Sequence, residues 1–125
     1  MTMPVPRVIG ASSVSADTGQ TRGILRRAAI DSTATSARRI WMGTALLDPR
    51  TASAPHHHVE AETAVYCLAG TLRVYFGEAF GEHIDVEPGE FAFIPPFVQH
   101  IEANEGDVAT QTVFARSPDN IVVNL

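Results

Sequence analysis

Short runs of β-branched and aromatic residues, separated by Gly, Pro, Asp and Asn, follow one another along most of the chain. Runs of this kind with turn residues at their ends are typical of β-strands. The strands predicted in this way cover residues 24–30, 39–47, 63–68, 71–76, 83–86, 91–94, 100–103, 108–115 and 121–123. Many short strands at roughly even spacing, with no long helical period, predict an all-β sandwich or barrel.

Glycine and proline residues mark the boundaries between the predicted segments of the chain. Gly70 separates two predicted strands by a short connection, which predicts a hairpin over 63–76. Residues 1–23 have no hydrophobic period and contain Pro4 and Pro6, so they are interpreted as an N-terminal arm. A length of 125 residues fits one domain. We therefore expect a single barrel over 24–125 and an arm that can contribute a strand to a dimer.

Composition narrows the class of protein. The net charge is −5 and every basic residue is Arg, so the chain lacks the basic face that nucleic-acid binding needs. Cys67 is the only cysteine, which excludes an intrachain disulfide. The first residues lack the apolar core of a signal peptide, and no stretch reaches the length of a membrane span. The expected compartment is the cytoplasm, with no membrane or nucleic-acid partner.

Three consecutive histidines follow Pro55 and carry the clearest chemical signal. Alternate side chains of an extended segment share a face, so His56 and His58 are expected to point together and His57 away. Two imidazoles spaced in this way can bind one metal ion, and Glu62 could add a carboxylate. A further ligand has to come from elsewhere in the chain, and His100 is the candidate.

Residues 40–115 resemble the cupin family through two motifs. The first motif has the form G-x5-H-x-H-x3/4-E-x6-G and is matched here by Arg50, His56, His58, Glu62 and Gly70. Arg50 stands where the family has Gly. Seven residues separate Glu62 from Gly70, where the family has six, so a count back from Gly70 places Thr63 at the carboxylate position. Because strand side chains alternate, that slip turns Glu62 to the other face unless a bulge absorbs it.

The second motif, G-x5-P-x-G-x2-H-x3-N, is matched with every spacing kept by Gly89, Pro95, His100 and Asn104. It departs only at Phe97, where the family has Gly. The resemblance implies a double-stranded β-helix, or jelly-roll, cupin barrel that holds one divalent metal ion in its mouth. The implied ligands are His56, His58, Glu62 and His100, while Thr63 and His57 remain alternatives to Glu62.

A metal held by imidazoles and a carboxylate can polarise a carbonyl group, stabilise an enolate or bind dioxygen. Fe, Mn, Zn, Ni and Cu all accept such ligands. Tyr66 and Arg73 are candidate catalytic or substrate-binding residues, with Arg73 the only interior cation expected. Predicted barrel-filling aromatic residues would give the cavity an apolar lining: Trp41, Phe91, Phe93 and Phe114.

The expected function is therefore that of a metal-dependent, dioxygenase-like enzyme on a small oxygenated organic substrate. The alternatives are a sugar or sugar-phosphate isomerase or epimerase, and a non-catalytic domain that binds a small molecule or a metal. Small barrels of the resembled family usually pair through a sheet face, so a homodimer is expected.

Overall fold

The computed structural model describes residues 4–125, and its regular secondary structure consists almost entirely of β-strands. In chain order the strands are β1 (Leu25–Ile30), β2 (Trp41–Leu47), β3 (Thr51–Ala52), β4 (His56–His57), β5 (Glu62–Ala69), β6 (Leu72–Phe76), β7 (Glu82–Val86), β8 (Phe91–Ile94), β9 (Ile101–Asn104), β10 (Thr110–Ser117) and β11 (Val123–Asn124). Two single turns of 3₁₀-helix, Ala11–Ser13 and Glu78–Phe80, complete the secondary structure. None of the helices in residues 4–125 has the length and hydropathy of a membrane span.

The strands form three antiparallel sheets. The larger two have the orders β1-β2-β10-β5-β8 and β3-β9-β6-β7, and β4 pairs with β11 in a two-stranded sheet. Non-consecutive neighbours such as β10 between β2 and β5 show that the chain crosses from sheet to sheet. The all-β class predicted from the strand pattern is confirmed.

One hydrophobic core joins the two large sheets. In β2 burial alternates strictly, so that Trp41, Ala45 and Leu47 point inward. They pack with inward residues of the four-stranded sheet, among them Leu72 and Val74 on β6. Burial of such side chains supplies the main driving force for closing the two sheets on each other.

Asn104, the last residue of the second motif, is buried and serves the fold. Its side-chain NH2 group lies 3.2, 3.1 and 2.8 Å from the carbonyl oxygens of Leu47, Asp48 and Val108, so its two hydrogens are shared among three acceptors. These bonds tie the end of β9 to the loops at the ends of β2 and before β10. The motif asparagine therefore has a structural role, since a buried amide that satisfies three carbonyls fixes their positions.

Two positions where the family has Gly retain the backbone conformation of glycine. Arg50 has φ +55° and Phe97 has φ +64°, both in the left-handed region that glycine occupies at little cost. Both side chains point into solvent, where they meet no obstruction. The departures from the two motifs change the residue type and leave the turn geometry in place.

The N-terminal arm packs on its own barrel where it is described. Ser15 pairs with Ala28 of β1, and the Thr21 hydroxyl donates to Asn124 of β11 at 2.7 Å. Residues 1–3 of the predicted arm lie outside the described residues. A contribution of the arm to a dimer stays a prediction.

Candidate metal centre

Three histidines from two distant parts of the chain meet inside the barrel. His56 lies in β4, His58 follows it, and His100 immediately precedes β9. His56 and His100 exchange two backbone hydrogen bonds, of 3.1 and 3.0 Å, which bring the two motifs side by side. Their ring centres are 4.3 Å apart, and that of His58 lies 5.1 and 5.2 Å from theirs. All three side chains are buried.

Backbone carbonyl groups fix the orientation of all three rings. The Nδ1 atoms of His56, His58 and His100 lie 2.8, 2.7 and 2.9 Å from the carbonyl oxygens of residues 54, 121 and 98. A carbonyl oxygen only accepts, so each Nδ1 carries the proton and each Nε2 presents a lone pair. One ligand atom from each of the three rings lies within 4.8 Å of the others. Rings oriented through the nitrogen that does not face the metal are the usual arrangement in metal sites.

The pKa values of two rings are lowered, which keeps them neutral. Burial, with the nearby Arg116 guanidinium as the second cause, lowers the pKa of His58 to about 2. Burial is also the main reason that the pKa of His100 falls to about 4. Neutral imidazole is the form that binds a metal ion, so these rings need not lose a proton first.

Two buried arginines, which the sequence analysis did not identify, contact the cluster. The Nη2 atom of Arg26, on β1, lies 3.2 Å from Nε2 of His56, and that of Arg116, on β10, lies 2.9 Å from Nε2 of His58. A guanidinium only donates, so both contacts need the ring nitrogen lone pair. They agree with the proton positions deduced from the carbonyl contacts.

Glu102 adds a carboxylate to the same interior. It lies two residues after His100 in β9, so both side chains point inward, and its Oε2 atom is 3.6 Å from Nε2 of His56. Burial alone would raise the pKa of Glu102, but His56, His100 and Arg26 together hold it below its usual range. The carboxylate is therefore ionised.

Two buried atoms of the cluster have no hydrogen-bond partner: Nε2 of His100 and Oε2 of Glu102. Unsatisfied buried polar atoms are costly and rare in folded proteins. A lone pair and a carboxylate oxygen both accept, so a cation is the kind of group that would satisfy each of them. The donor set, three imidazole nitrogens with an adjacent carboxylate, fits a divalent transition metal.

Glu62 does not join the cluster. Its side chain is exposed at the start of β5, while Thr63 beside it is buried and accepts a hydrogen bond of 2.8 Å from Nε of Arg116. Thr63 and Arg116 are paired in register, and no bulge lies at this end of β5. Alternation therefore turns Glu62 outward, as the count back from Gly70 indicated. His57 also points away, with its Nδ1 accepting from the Val59 amide at 3.1 Å.

Tyr66 and Arg73 lie outside the cluster as well. Tyr66 is on the outer face of β5, with its ring centre 4.7 Å from that of Phe91. Arg73 pairs with Asp85 on the neighbouring strand, with hydrogen bonds of 2.8 and 3.1 Å. The interior cations are Arg26 and Arg116. A signal for Arg116 was available in the sequence, because it lies two residues after the apolar Phe114 in a strand with period-2 burial.

The predicted apolar lining is only partly present. Trp41 and Phe114 are buried and in contact, but Phe91 and Phe93 are 77% and 59% exposed. In β8 the inward positions belong to Ala92 and Ile94, so register places both phenylalanines outside. The interior next to Arg26, Glu102 and Arg116 has no space that would admit a water molecule. The other residues around it are Ile24, Ala45, Val65, Thr112 and Phe114.

Residues 43–115 match the model of the cupin domain family. The chain belongs to the cupin family. The match spans more than half of the 125 residues and includes both histidine motifs. No curated protein sequence matches the chain.

Solved structures show the same fold. The polyketide cyclase RemF from Streptomyces resistomycificus superposes with a TM-score of 0.76 at 22% identity, over 97% of this chain and 86% of that one. An uncharacterised protein with a double-stranded β-helix domain from Klebsiella pneumoniae gives 0.73 at 15% identity, over 96% and 97%. Oxalate decarboxylase from Lactobacillus farciminis gives 0.73 at 20% identity, over 88% of this chain and 33% of that protein. The cupin jelly-roll barrel expected from the motifs is confirmed.

Proposed function

We propose that His56, His58 and His100 hold one divalent metal ion and that the protein is a metal-dependent enzyme acting on a small oxygenated organic molecule. The observation that carries this proposal is the convergence of three Nε2 lone pairs, each fixed by a carbonyl group behind the ring. When bound, such an ion polarises an oxygen of the substrate. The enzymes among the similar folds, a polyketide cyclase and oxalate-converting enzymes, are consistent with this class.

In this proposal Glu102 supplies the carboxylate that the first motif assigns to Glu62. It is ionised, buried and adjacent to His56, but it lies outside the group of three ligand atoms that come within 4.8 Å of one another, so it acts as a negative charge beside the site and not as a fourth ligand. Three neutral imidazoles and one carboxylate give a divalent centre a net charge near +1. The chain thus supplies a carboxylate from β9, where the motif would supply it from β5.

The type of reaction is a separate question from the presence of a metal site. The expectation of an oxygenase depended on an apolar lining and on a single interior cation, and the structure corrects both premises: Phe91 and Phe93 lie outside and two arginines lie inside. A cationic, polar interior is equally suited to isomerisation or elimination through an enolate. The interior therefore favours neither oxygenase nor isomerase chemistry, and the substrate screen described below distinguishes the two.

A non-catalytic binding domain is the second candidate, and one observation favours it. The space beside the histidines is too finely divided among the side chains to admit a water molecule. A site that stays closed in this way would hold a metal without giving a substrate access to it.

Metal analysis of protein purified without added metal is the first test. We expect about one equivalent of a transition metal per chain, and none in a His58→Ala variant. His57→Ala is the matched control, because that ring points away from the cluster and its loss should leave the metal content unchanged. Metal-free folded wild-type protein that takes up no Zn²⁺, Mn²⁺ or Fe²⁺ would contradict the proposal.

The metal-loaded protein is then screened with small hydroxy, keto and carboxylic acids. Substrate-dependent oxygen uptake by the Fe²⁺ form would identify an oxygenase, and conversion without oxygen uptake would identify isomerase or lyase chemistry. Stoichiometric metal with no exchangeable coordination position, shown by an unchanged Co²⁺ absorption spectrum on addition of azide, would favour the binding domain.

A further inference from the structure

Two arginines are buried as deeply as the hydrophobic core. Arg26 is 0% exposed and Arg116 is 3% exposed. Both guanidinium groups reach the histidine cluster from the five-stranded sheet, one through His56 and the other through His58. Arginine stays protonated in proteins, so both bring a full positive charge into the barrel.

The charges in this interior do not balance. Among the residues the structure describes, Glu102 is the only buried acid, against Arg26 and Arg116. Two positive charges and one negative charge leave +1, and a divalent ion on neutral imidazoles would raise the total to +3. Burying uncompensated charge costs far more than burying a balanced set. The interior is therefore built to receive negative charge.

The hydrogen-bonding of the two guanidinium groups shows where that charge would bind. Arg116 is held by Thr63 at Nε and by Asn120 at Nη1, both away from the cluster, which leaves Nη2 directed at His58. Arg26 is held by Thr21 and by the Gly19 carbonyl at Nη1, and its Nε has no partner. Both groups are thus anchored at one end and present N–H donors to the cluster at the other.

A metal on the imidazole nitrogens would take the lone pairs that these donors use. Each Nη2 would then be a buried donor without an acceptor, which is unfavourable because a donor removed from water needs a hydrogen-bond partner. A neutral sugar hydroxyl offers a weaker acceptor and no compensating charge. A carboxylate offers several acceptor sites and matches the planar donor edge of arginine.

We propose that the substrate of this site is a small organic carboxylate, held by hydrogen bonds from Arg26 and Arg116 on the side of the cluster that the metal ion faces. This inference rests on the proposed metal-dependent function and narrows its substrate class. Because the space between Arg26, Glu102 and Arg116 does not admit a water molecule in this structure, the side chains around it have to move apart when the anion binds.

The probe is malonate, titrated calorimetrically into zinc-loaded wild-type protein and compared with malonamide, its neutral isostere. We expect saturable binding of malonate and at least tenfold weaker binding of malonamide. This comparison uses only the wild-type chain, so it does not depend on whether a variant folds. Equal binding of the two molecules, or binding of neither, would overturn the inference.

The variants Arg26→Gln and Arg116→Gln then locate the anion. Each is expected to weaken malonate binding at least tenfold, while zinc affinity stays equal or rises because a positive charge is removed. Arg73→Gln is the matched control, since that guanidinium is on the outer face and pairs with Asp85. Unchanged malonate affinity in both interior variants would overturn the assignment of these residues. Wild-type protein that binds none of Zn²⁺, Mn²⁺ and Fe²⁺ would refute the proposed function and this inference together, whereas metal binding without preference for malonate refutes the inference alone.

Discussion

The interior around the histidines and the outer face of the five-stranded sheet invert the usual distribution of polar and apolar side chains. Inside lie buried charged and imidazole groups: Arg26, His56, His58, His100, Glu102 and Arg116. Outside, Met42, Leu68, Phe91 and Phe93 are between 41% and 77% exposed. Burial of polar groups is unfavourable unless they are hydrogen-bonded or paired, and this interior leaves Nε2 of His100, Oε2 of Glu102 and Nε of Arg26 without partners. Large contiguous apolar patches on a surface mark interaction sites. Both regions therefore indicate function.

The same strands build both regions through their alternation. In β10, Thr112, Phe114 and Arg116 point inward while Val113 and Ala115 point outward. A shift of one residue in register would exchange the two sets. The two faces can therefore be tested independently with substitutions at neighbouring positions.

The largest effect is expected from the histidines. His58→Ala removes one of three converging nitrogens and should lower Zn²⁺ affinity by more than the roughly 10- to 100-fold that the loss of an outer partner causes, because a direct ligand is lost. Calorimetric titration with competition by a chelator measures the change. His57→Ala, one residue away on the outward side, should differ from wild type by less than twofold. Equal losses in the two variants would mean that the inner face does not define the site.

Acid should destabilise the metal-free protein through the same rings. The unfolded chain takes up protons on His58 and His100 near pH 6.5, whereas the folded chain keeps them neutral because their pKa values are lowered to about 2 and about 4. The stability that neutral burial contributes is present above pH 6.5 and is lost as the pH falls toward 4. Between pH 7 and pH 5 we expect a loss of about 2 kcal/mol for each ring.

Urea denaturation in the presence of a chelator measures this dependence. His58→Gln should show about half of the wild-type slope, since one of the two rings is gone. A free energy of unfolding that is flat between pH 7 and pH 5 would show that the rings are protonated inside the barrel. The electrostatic contrast between the two faces would then be smaller than the structure indicates.

Substitutions of Glu102 and Glu62 test whether the interior carboxylate or the motif carboxylate affects metal binding. Glu102→Gln removes the charge from the carboxylate beside His56 and is expected to lower Zn²⁺ affinity about 10- to 100-fold. Glu62→Gln is the matched control on an exposed side chain and should leave affinity within twofold of wild type. A larger effect at Glu62 would mean that β5 changes register when a metal binds.

Much of the architecture could be predicted from the sequence because it depends on local patterns. Turn residues and β-branched runs identified the strands, and the alternation of His56 and His58 placed two rings on one face. The spacing of the second motif then indicated His100. Each of these inferences needs only the period of a strand or a short loop.

The remaining interior residues depend on contacts between distant strands. Arg26 and His56 are 30 residues apart in sequence, and Arg116 and His58 are 58 apart. The period of β10 indicates the inward face for Arg116, but no local pattern does so for Arg26, and arginine is rarely buried without a partner. The prediction that Phe91 and Phe93 face inward was wrong for a similar reason. Their strand of four residues is too short for the sequence period to show which face is buried.

The smallest effect is expected at the outer face, where the predicted homodimer can be tested. We propose that the exposed apolar residues of the five-stranded sheet pair with those of a second copy, since Met42, Leu68, Phe91 and Phe93 lie exposed on the outer side of β2, β5 and β8. Met42→Glu would place a charge in the patch and should raise the dimer dissociation constant about tenfold or more, because an unpaired carboxylate is costly to bury.

Light scattering across a dilution series measures the association. Thr44→Glu offers a milder comparison on the same strand and face, where a polar side chain is already present. Metal content should be unaffected by either substitution, because the side chains point away from the histidines. A wild-type protein that is monomeric at high concentration would refute the dimer, and the apolar outer face would then need another partner to explain its exposure.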